Sequence, residues 1–364
     1  QDRLYINDNG SFKKTAKLPK MHSSTLVVKA ADFDQDGDLD LFVGGRLVPG
    51  KYPSAPRSYL LLNDNGNYTD VTEKYCKELM YPGMVTGVEF GDVDGDGLLD
   101  LTLIGEWMPM MVFLNKGTTF EKMPIQQESE SLWFSLKAVD VDKDGDLDFI
   151  GGNLGKNCKF KGSLEKPFNI YADDFDNNGT WDMMMSSYEG DKNYPTRGRD
   201  CSSEQMPFIT DSFPSFKAYA IAEITEICGP KIDTALHLTA RGFYTSLFIN
   251  DGKGLFTLKK LPNEVQFSPT KDILTEDVNG DGNIDLILVG NMYDTEVETV
   301  RYDAGRGTVL LGNGKGDFSA MQPTESGFSA WENVKQIRKI KIGKKEVYLL
   351  AVNNGKLMAI EKKK

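Results

Sequence analysis

Residues 92–100 read Asp-Val-Asp-Gly-Asp-Gly-Leu-Leu-Asp, and the same pattern, Asp-x-Asp-x-Asp-Gly-x-x-Asp, recurs at 32–40 and 140–148. Two further copies, at 174–182 and 277–285, carry one Asn in place of an Asp. A unit that recurs along a chain is typical of architectures built from repeated supersecondary elements. These five segments, called the Asp loops below, therefore decide what fold we expect.

The spacing of the Asp loops is suited to a hard divalent cation. Ca²⁺ takes six to eight oxygen ligands in a flexible shell. Side chains at loop positions 1, 3 and 5 converge, Gly at position 6 permits a sharp turn, position 7 offers its carbonyl and position 9 closes the shell. An EF-hand would also need flanking helices and a Glu at position 12, but apolar, β-rich runs follow these loops. We therefore predict calcium loops between strands.

Charge supports this interpretation over the alternative of acidic surface turns. The loops hold 20 Asp residues, so the rest of a chain of net charge −12 is positive, and carboxylates packed so closely repel one another without a cation. We expect about five Ca²⁺ sites. Their predicted ligand positions are Asp32, Asp34, Asp36, Asp38, Asp40, Asp92, Asp94, Asp96, Leu98, Asp100, Asp140, Asp142, Asp144, Asp146, Asp148, Asp174, Asp176, Asn178, Thr180, Asp182, Asp277, Asn279, Asp281, Asn283 and Asp285.

Each Asp loop lies in the same local context. An apolar strand pattern precedes it, another follows it, and a hairpin with an Asn/Gly turn often comes next, as in residues 59–68. Four short strands per unit, repeated every 40 to 60 residues, indicate a β-propeller blade. We predict an all-β propeller of four-stranded blades, with seven blades expected. Six is the alternative, because the interval between Asp140 and Asp174 is short for a full blade.

The whole chain, residues 1–364, is expected to form this one domain and to be a fragment of a longer protein. Residues 4–15 resemble the last two strands of a blade and residues 335–361 a metal-free unit, so the N- and C-terminal strands could close the ring and hide its edges.

Residues 190–230 interrupt the strand rhythm and are predicted to form an insertion with one helix. Ser215 would cap its start and Gly229 its end. The insertion could be a plug over the ring, or a lid or ligand-binding element.

The repeated segments resemble the FG-GAP and VCBS repeats, the blade type of the integrin α-chain propeller. Residues 4–12, 44–64, 105–110, 151–157 and 290–305 resemble bacterial secreted VCBS proteins related to the ASPIC/UnbV group. The resemblance implies a secreted, periplasmic or cell-surface protein that acts as a protein- or carbohydrate-binding or adhesion module. Its partner would be an extracellular protein or glycan. It also implies that the loops after each second strand lie on the face opposite the calcium loops.

That opposite face, called the partner face below, is where we expect a ligand. Its candidate residues are Arg46, Arg57, Glu106, Trp107, Asn153, Arg197, Asp200, Asn291, Glu296, Glu298 and Arg301. For each one a structural role, such as an ion pair that ties loops together, is the alternative. Trp107 is either an exposed anchor, since aromatic residues dominate binding energy where they fill pockets, or part of the core.

A glycan-active enzyme, either a hydrolase or a lyase, is the alternative function. Glu106, Glu296 or Glu298 could supply the carboxylate pair that glycosidases use. The chain contains no G-x-S-x-G or H-E-x-x-H motif, and we assign no catalytic residue.

Composition excludes several other classes of protein. The acidic balance argues against nucleic-acid binding, and no apolar run reaches the ~18 residues of a membrane helix. His22 and His237 are the only histidines, which argues against a multi-His metal site. The four cysteines, Cys76, Cys158, Cys201 and Cys228, form no CxxC pair, and both free thiols and one or two disulfides remain open.

Overall fold

The computed structural model describes residues 2–15, 17–125, 128–296 and 298–362. Antiparallel sheets make up most of its regular secondary structure, which confirms the all-β class. We number the sheets in the order in which their first strands occur. The first sheet is a hairpin of β1 (Leu4–Asp8) and β2 (Ser11–Thr15), and the second contains β3 (Ser24–Ala31), β4 (Asp40–Leu47), β5 (Tyr59–Asp64) and β6 (Asn67–Asp70).

The third and fourth sheets are built like the second, with the first strand paired to the second and the second to the third. The third contains β7 (Met84–Gly91), β8 (Asp100–Met108), β9 (Met111–Asn115), β10 (Phe120–Lys122) and β11 (Ser131–Leu132). The fourth begins with β12 (Ser135–Val139) and β13 (Asp148–Gly152). The chain then builds a fifth sheet from β14 (Phe168–Asp173), β15 (Asp182–Glu189), β16 (Lys192–Pro195) and β17 (Leu236–Ala240). The fourth sheet is completed only afterwards, by β18 (Ser246–Asn250) and β19 (Phe256–Lys260).

The last two sheets are simpler. The sixth contains β20 (Thr270–Glu276), β21 (Asp285–Gly290), β22 (Thr308–Gly312) and β23 (Phe318–Ala320), and the seventh contains β24 (Val334–Ile342), β25 (Lys345–Val352) and β26 (Met358–Glu361). In the described residues six short helices accompany the sheets: α1 (Thr72–Tyr75), α2 (Arg199–Gln205), α3 (Phe208–Ser212), α4 (Phe216–Ala220), α5 (Ile224–Cys228) and α6 (Pro323–Ser326). Turns of 3₁₀ helix occur at Lys77–Met80, Gly229–Asp233 and Asn263–Phe267.

Five sheets pack side by side in the manner of propeller blades. Their first strands are neighbours in the order β3, β7, β12, β20 and β24. Apolar clusters fill the spaces between them, for example Phe42 and Val88 between the second and third sheets. Within the described residues β1 and β2 pair only with each other, and the seventh sheet has three strands. Closure of the ring by the terminal strands, and the number of blades, therefore remain predictions.

The fifth sheet is nested inside the fourth. Phe149 on β13 pairs with Phe248 on β18, so residues 153–245 form one excursion between the second and third strands of a single sheet. The short interval between Asp140 and Asp174, which left the blade count open, has this cause. Our sequence interpretation placed only residues 190–230 in the insertion, because the Asp loop at 174–182 gave the nested sheet the appearance of a regular blade.

Four helices, α2 to α5, occupy the segment for which the sequence predicted one. Ser215 caps α4 as expected, with its hydroxyl accepting from the amide of Ala218 at 3.1 Å. A second start signal follows, since Glu223 and Glu226 form a capping box that begins α5. The single helix expected after Ser215 is therefore divided in two, and Gly229 ends the second part.

The nested sheet has two buried faces. Phe168 and Ile170 on β14 pack with Trp107 on β8 and with Tyr302 in the loop between β21 and β22. Met184 on β15, whose neighbours in sequence face the other way, packs with residues of α3, α4 and α5. A strand whose alternate residues face opposite sides suits this position between two apolar layers. The insertion is thus a sheet packed against the ring, with helices on its outer side.

Candidate metal centres

The structure places each Asp loop between the first and second strands of a sheet, and the last Asp of the loop begins the second strand. In four of the loops three carboxylates each offer an oxygen, and these oxygens lie within 4.8 Å of one another. The groups are Asp32, Asp34 and Asp36; Asp92, Asp94 and Asp96; Asp140, Asp142 and Asp148; and Asp174, Asp176 and Asp182. The convergence predicted from the spacing is therefore present at four of the five loops.

Backbone amides of the loop hold its first carboxylate. In the third sheet Asp92 Oδ1 accepts from the amide of Gly95 at 2.8 Å, and Oδ2 accepts from that of Gly97 at 2.9 Å. Gly97 stands at position 6 with φ of 85°, in the left-handed region that favours glycine. The invariant Gly therefore turns the loop's amides toward Asp92 and gathers the carboxylates.

The last Asp of the loop ties three segments together. Asp100 is completely buried; its Oδ2 accepts from the amide of Val93 at 2.8 Å and its Oδ1 from that of Asn115 on β9 at 2.7 Å. The same pair of bonds occurs at Asp40, Asp148 and Asp285. In these four loops position 9 therefore fixes the loop to the third strand of its sheet, and at Asp148 it also belongs to the converging group.

Burial and the neighbouring carboxylates make ionisation of these groups costly. Burial, opposed by backbone hydrogen bonds and assisted by the nearby Asp side chains, raises the pKa of Asp100 to about 6. The pKa values of Asp40, Asp148 and Asp182 rise to about 6 for the same first reason. A bound cation would remove this cost, because an adjacent positive charge favours the ionised carboxylate.

Two buried carboxylate oxygens of the Asp loops have no hydrogen-bond donor among the described residues. They are Asp182 Oδ1 and Asp142 Oδ1, and both belong to the converging groups. In the other four loops, Oδ1 of the last Asp accepts from a backbone amide of the third strand. Asp182 Oδ1 has no such donor. A buried polar atom without a partner is costly, so the donor set fits a cation ligated by oxygen.

The fifth loop, residues 277–285, differs from the other four. Asn279 replaces the Asp at position 3, and its amide donates to Asp281 Oδ2 at 3.1 Å. Three of its carboxylates do not meet within the same distance in the described structure. The loop at 174–182 also has an Asn in place of one Asp, but its three carboxylates converge. The geometry therefore makes 277–285 the weakest of the five candidate sites.

The sequence interpretation missed a set of asparagines that join neighbouring sheets. Asn115 on β9 donates from Nδ2 to the carbonyl of Phe33, in the Asp loop of the second sheet, at 2.7 Å. Asn250 on β18 donates likewise to the carbonyl of Val93, in the loop of the third sheet, at 3.0 Å. The signal was the Asn at the end of β9 and of β18, which we had interpreted only as part of a hairpin turn. In these two cases the carbonyl at position 2 of an Asp loop accepts from the next sheet.

One group of predicted partner-face residues comes together beneath the nested sheet. Arg46 forms an ion pair with Glu106, whose other oxygen accepts from the Tyr52 hydroxyl at 3.2 Å. The Trp107 indole donates to that hydroxyl at 2.6 Å and stacks on Phe168, with ring centroids 5.5 Å apart. Trp107 is only 5% exposed, so it fills the core, as the second interpretation of this residue expected.

A second group joins the insertion to the sixth sheet. Glu296 accepts from Arg197 at 2.8 Å and is paired with Lys159 at 3.3 Å. Burial raises the pKa of Glu296, but hydrogen bonds from Thr299 and Arg197 outweigh it and bring the pKa to about 2. Glu298 accepts from the amide of Gly198 at 3.2 Å. These residues act as ties between loops.

The remaining candidates are dispersed. Arg57 pairs with Asp70 at 2.8 Å, and Asp200 lies beside Arg199 at 3.6 Å. Asn153 donates to Ser131 inside the fold, at 2.7 Å. Two others hold the long loop after β21: Asn291 donates to the carbonyls of Gly305 and Trp331, and Arg301 lies over the ring of Tyr293. All four cysteines are free thiols.

Comparison with known proteins gives one family and remote structural likenesses. Residues 92–151, from the third sheet's Asp loop to β13, match the FG-GAP-like repeat, which confirms that resemblance for this part of the chain. No curated protein matches. The V. cholerae biofilm matrix protein Bap1 is 9% identical, with 90% of this chain and 74% of that chain covered and a TM-score of 0.31. The exotype rhamnogalacturonan lyase YesX is 11% identical, with 98% and 72% covered and a TM-score of 0.33.

The relation to the ASPIC/UnbV group and the likeness to integrin remain predictions. In the described part of the chain no helix combines the length and the apolar character needed to cross a membrane.

Proposed function

We propose that this chain is a secreted, periplasmic or cell-surface scaffold that binds calcium in its Asp loops and uses the folded assembly to bind an extracellular protein or glycan. The convergence of three carboxylates in each of four loops carries the calcium proposal. Asp92, Asp94, Asp96 and Asp100 would hold the ion in the third sheet, with the Leu98 carbonyl completing the oxygen set. The ion would offset part of the negative charge of the cluster and fix the loop.

Because the loops are exposed, we expect weak calcium sites that are filled at extracellular calcium concentrations. Asp36, Asp96 and Asp144 are exposed, and backbone amides already occupy part of the first carboxylate of each loop. Extracellular calcium modules bind with dissociation constants of about 10⁻⁴–10⁻³ M. Such sites would be filled outside cells, where we place the protein.

The binding role rests on the resemblance and on the stable platform that filled loops would provide. The enzyme alternative has less support. Glu106 is engaged by Arg46 and Tyr52, and Glu296 by Arg197 and Lys159. Neither carboxylate is therefore free to act as an acid, base or nucleophile without breaking an ion pair.

Elemental analysis tests the calcium proposal. After dialysis against millimolar calcium and removal of free ion, we expect about four Ca²⁺ per chain, one for each converging group. Asp94→Asn should lower the content by about one ion, because it removes a charged ligand from one group. Glu121→Gln, an exposed residue on β10, makes the same charge change outside any loop and should leave the content unchanged. A content of one ion or none would contradict the proposal.

A further inference from the structure

A cavity of about 410 Å³ opens beside the fourth sheet, apart from every Asp loop. Trp133 and Tyr244 give it aromatic walls, and Leu164, on the chain that leaves the fourth sheet for the nested one, adds an exposed apolar wall. The volume is in the range of about 300–1,000 Å³ that small-molecule sites occupy. It therefore has room for one or two sugar rings.

Two lysines of this cavity carry ammonium groups that form no ion pair in the described part of the chain. The ammonium of Lys260 lies 3.9 Å from the centre of the Tyr244 ring, and that of Lys156 lies 4.8 Å from the same centre. Within the described residues neither ammonium has a carboxylate partner. Arg241, which also lines the cavity, is by contrast paired with Glu128 and Glu130, each at 3.0 Å. The two lysines are thus the cations left to meet a ligand's anionic group.

The cavity also offers hydrogen-bond acceptors. Glu165 lines it and is exposed, and its Oε2 accepts from the Ser163 hydroxyl at 3.2 Å, which leaves acceptor capacity on both carboxylate oxygens. Carboxylates of this kind accept hydrogen bonds from hydroxyl groups. The cavity therefore combines cations, acceptors and apolar walls within one site.

We propose that this cavity binds an anionic sugar residue, whose carboxylate or sulfate meets Lys156 and Lys260 while its hydroxyls donate to Glu165 and its carbon face packs against the apolar wall. A sugar acid or a sulfated sugar supplies all three features. An acidic peptide supplies the anion but carries no array of hydroxyl donors. The inference rests on the binding half of the proposed function, yet it uses no residue of an Asp loop.

Titration of the calcium-saturated full chain tests the site, with binding followed by nuclear magnetic resonance. The ligands are D-glucuronate, D-glucose 6-sulfate and neutral D-glucose, which share one ring, and hexaglutamate as the acidic peptide. We expect saturable binding of at least one anionic sugar, at least about tenfold tighter than that of glucose, because charge-assisted hydrogen bonds are the strong ones. The tighter binder of D-glucuronate and D-glucose 6-sulfate shows whether the cavity prefers a carboxylate or a sulfate. Added salt should weaken binding of either anionic sugar.

The variants separate this cavity from other surfaces. The double substitution Lys156→Gln and Lys260→Gln should weaken binding of the anionic sugar at least about tenfold. Lys253→Gln, an exposed lysine in the turn before β19, should not. Each variant's melting temperature and calcium content are measured on the same sample, so loss of folding is recognised. Should the double variant not fold, the single substitutions Lys156→Gln and Lys260→Gln are tested separately, and at least one must weaken binding of the anionic sugar.

Three results would overturn the inference: no saturable binding of either anionic sugar, equal binding of glucose, or binding that the cavity variants leave unchanged. Tighter binding of hexaglutamate than of both anionic sugars would assign the cavity to acidic peptides instead. Failure with a normal calcium content leaves the calcium proposal standing. A calcium content of one ion or none would instead count against that proposal, whatever the cavity binds.

Discussion

The joint between the third and fourth sheets and the joint between the sixth and seventh are built from different chemistry. At the first, the neutral side chain of Asn250 donates to the carbonyl of Val93, at position 2 of an Asp loop. At the second, Glu276 on β20 accepts from Lys339 and from the Tyr348 hydroxyl, each at 2.9 Å, and also from Lys362. One joint thus depends on how a loop is folded, and the other on charge.

The connections between the first and second strands also differ between the fourth and seventh sheets. Only Gly343 and Lys344 separate β24 from β25, whereas residues 140–147 separate β12 from β13. Both pairs of strands form antiparallel ladders, and the β24–β25 ladder has one register shift, between Val334 and Gln336. An acidic loop is therefore not needed to pair two strands. Its distinct contribution is to present the position 2 carbonyl to the next sheet, and a cation that fixes the loop would also fix the joint.

Removal of calcium should have the largest effect on this comparison. Each site would stabilise the fold by about 2.7 kcal/mol at a hundredfold excess of calcium over its dissociation constant. EDTA should therefore lower the melting temperature markedly. In hydrogen exchange, amides of β8, β9 and β13 should lose more protection than those of β24 and β25. Equal loss of protection in the two regions would contradict the division between the joints, and an unchanged melting curve would contradict structural calcium.

The pH dependence of the free energy of unfolding should have opposite signs with and without calcium. Without it, Asp40, Asp100 and Asp148 have a folded pKa of about 6, above the usual 3.8, so the folded state binds more protons than the unfolded state between these values. The free energy of unfolding should then fall as pH rises from about 4 to about 6, and level off above. With calcium it should rise over that range, because the ligands bind metal when deprotonated.

Urea titrations at pH 4.5, 5.5 and 6.5, with EDTA or with calcium, measure both slopes. A slope of the same sign under both conditions would contradict carboxylate clusters that bind the metal. Measurements below pH 4 are left aside, because other carboxylates protonate there.

The Asp loops could be predicted from the sequence because all their ligand positions lie within nine consecutive residues. The Asp spacing and the Gly at position 6 predicted the loops, and their convergence is present in four copies. The nested sheet was not readable, because the pairing of Phe149 with Phe248 joins distant segments that carry no mutual signal. Trp107 shows the same limit: its burial depends on Phe168, which the excursion brings to it.

Substitution of a joint asparagine should have the next largest effect. Asn250→Ala removes a buried donor and leaves the Val93 carbonyl without it, a loss of about 1–3 kcal/mol in the free energy of unfolding. Asn67→Ala, which removes an exposed hydrogen bond in the hairpin of the second sheet, should cost much less. Chemical denaturation in calcium measures both. Equal costs would mean that Asn250 does not join the sheets.

Substitution at the charged joint should have the smallest effect, and salt should distinguish it from the asparagine joint. The Glu276 side chain is largely buried, whereas its partners Lys339 and Lys362 are partly exposed. Burial raises the pKa of Glu276, but hydrogen bonds from the two lysines outweigh it and hold the pKa below the usual value. Glu276→Gln should therefore cost about 1 kcal/mol or less at low salt. Raising the sodium chloride concentration from about 0.05 M to about 1 M shortens the Debye screening length to about 3 Å. This should reduce the cost of Glu276→Gln. The cost of Asn250→Ala involves no charge and should persist. If both costs respond equally to salt, the difference in chemistry between the two joints does not govern their strength.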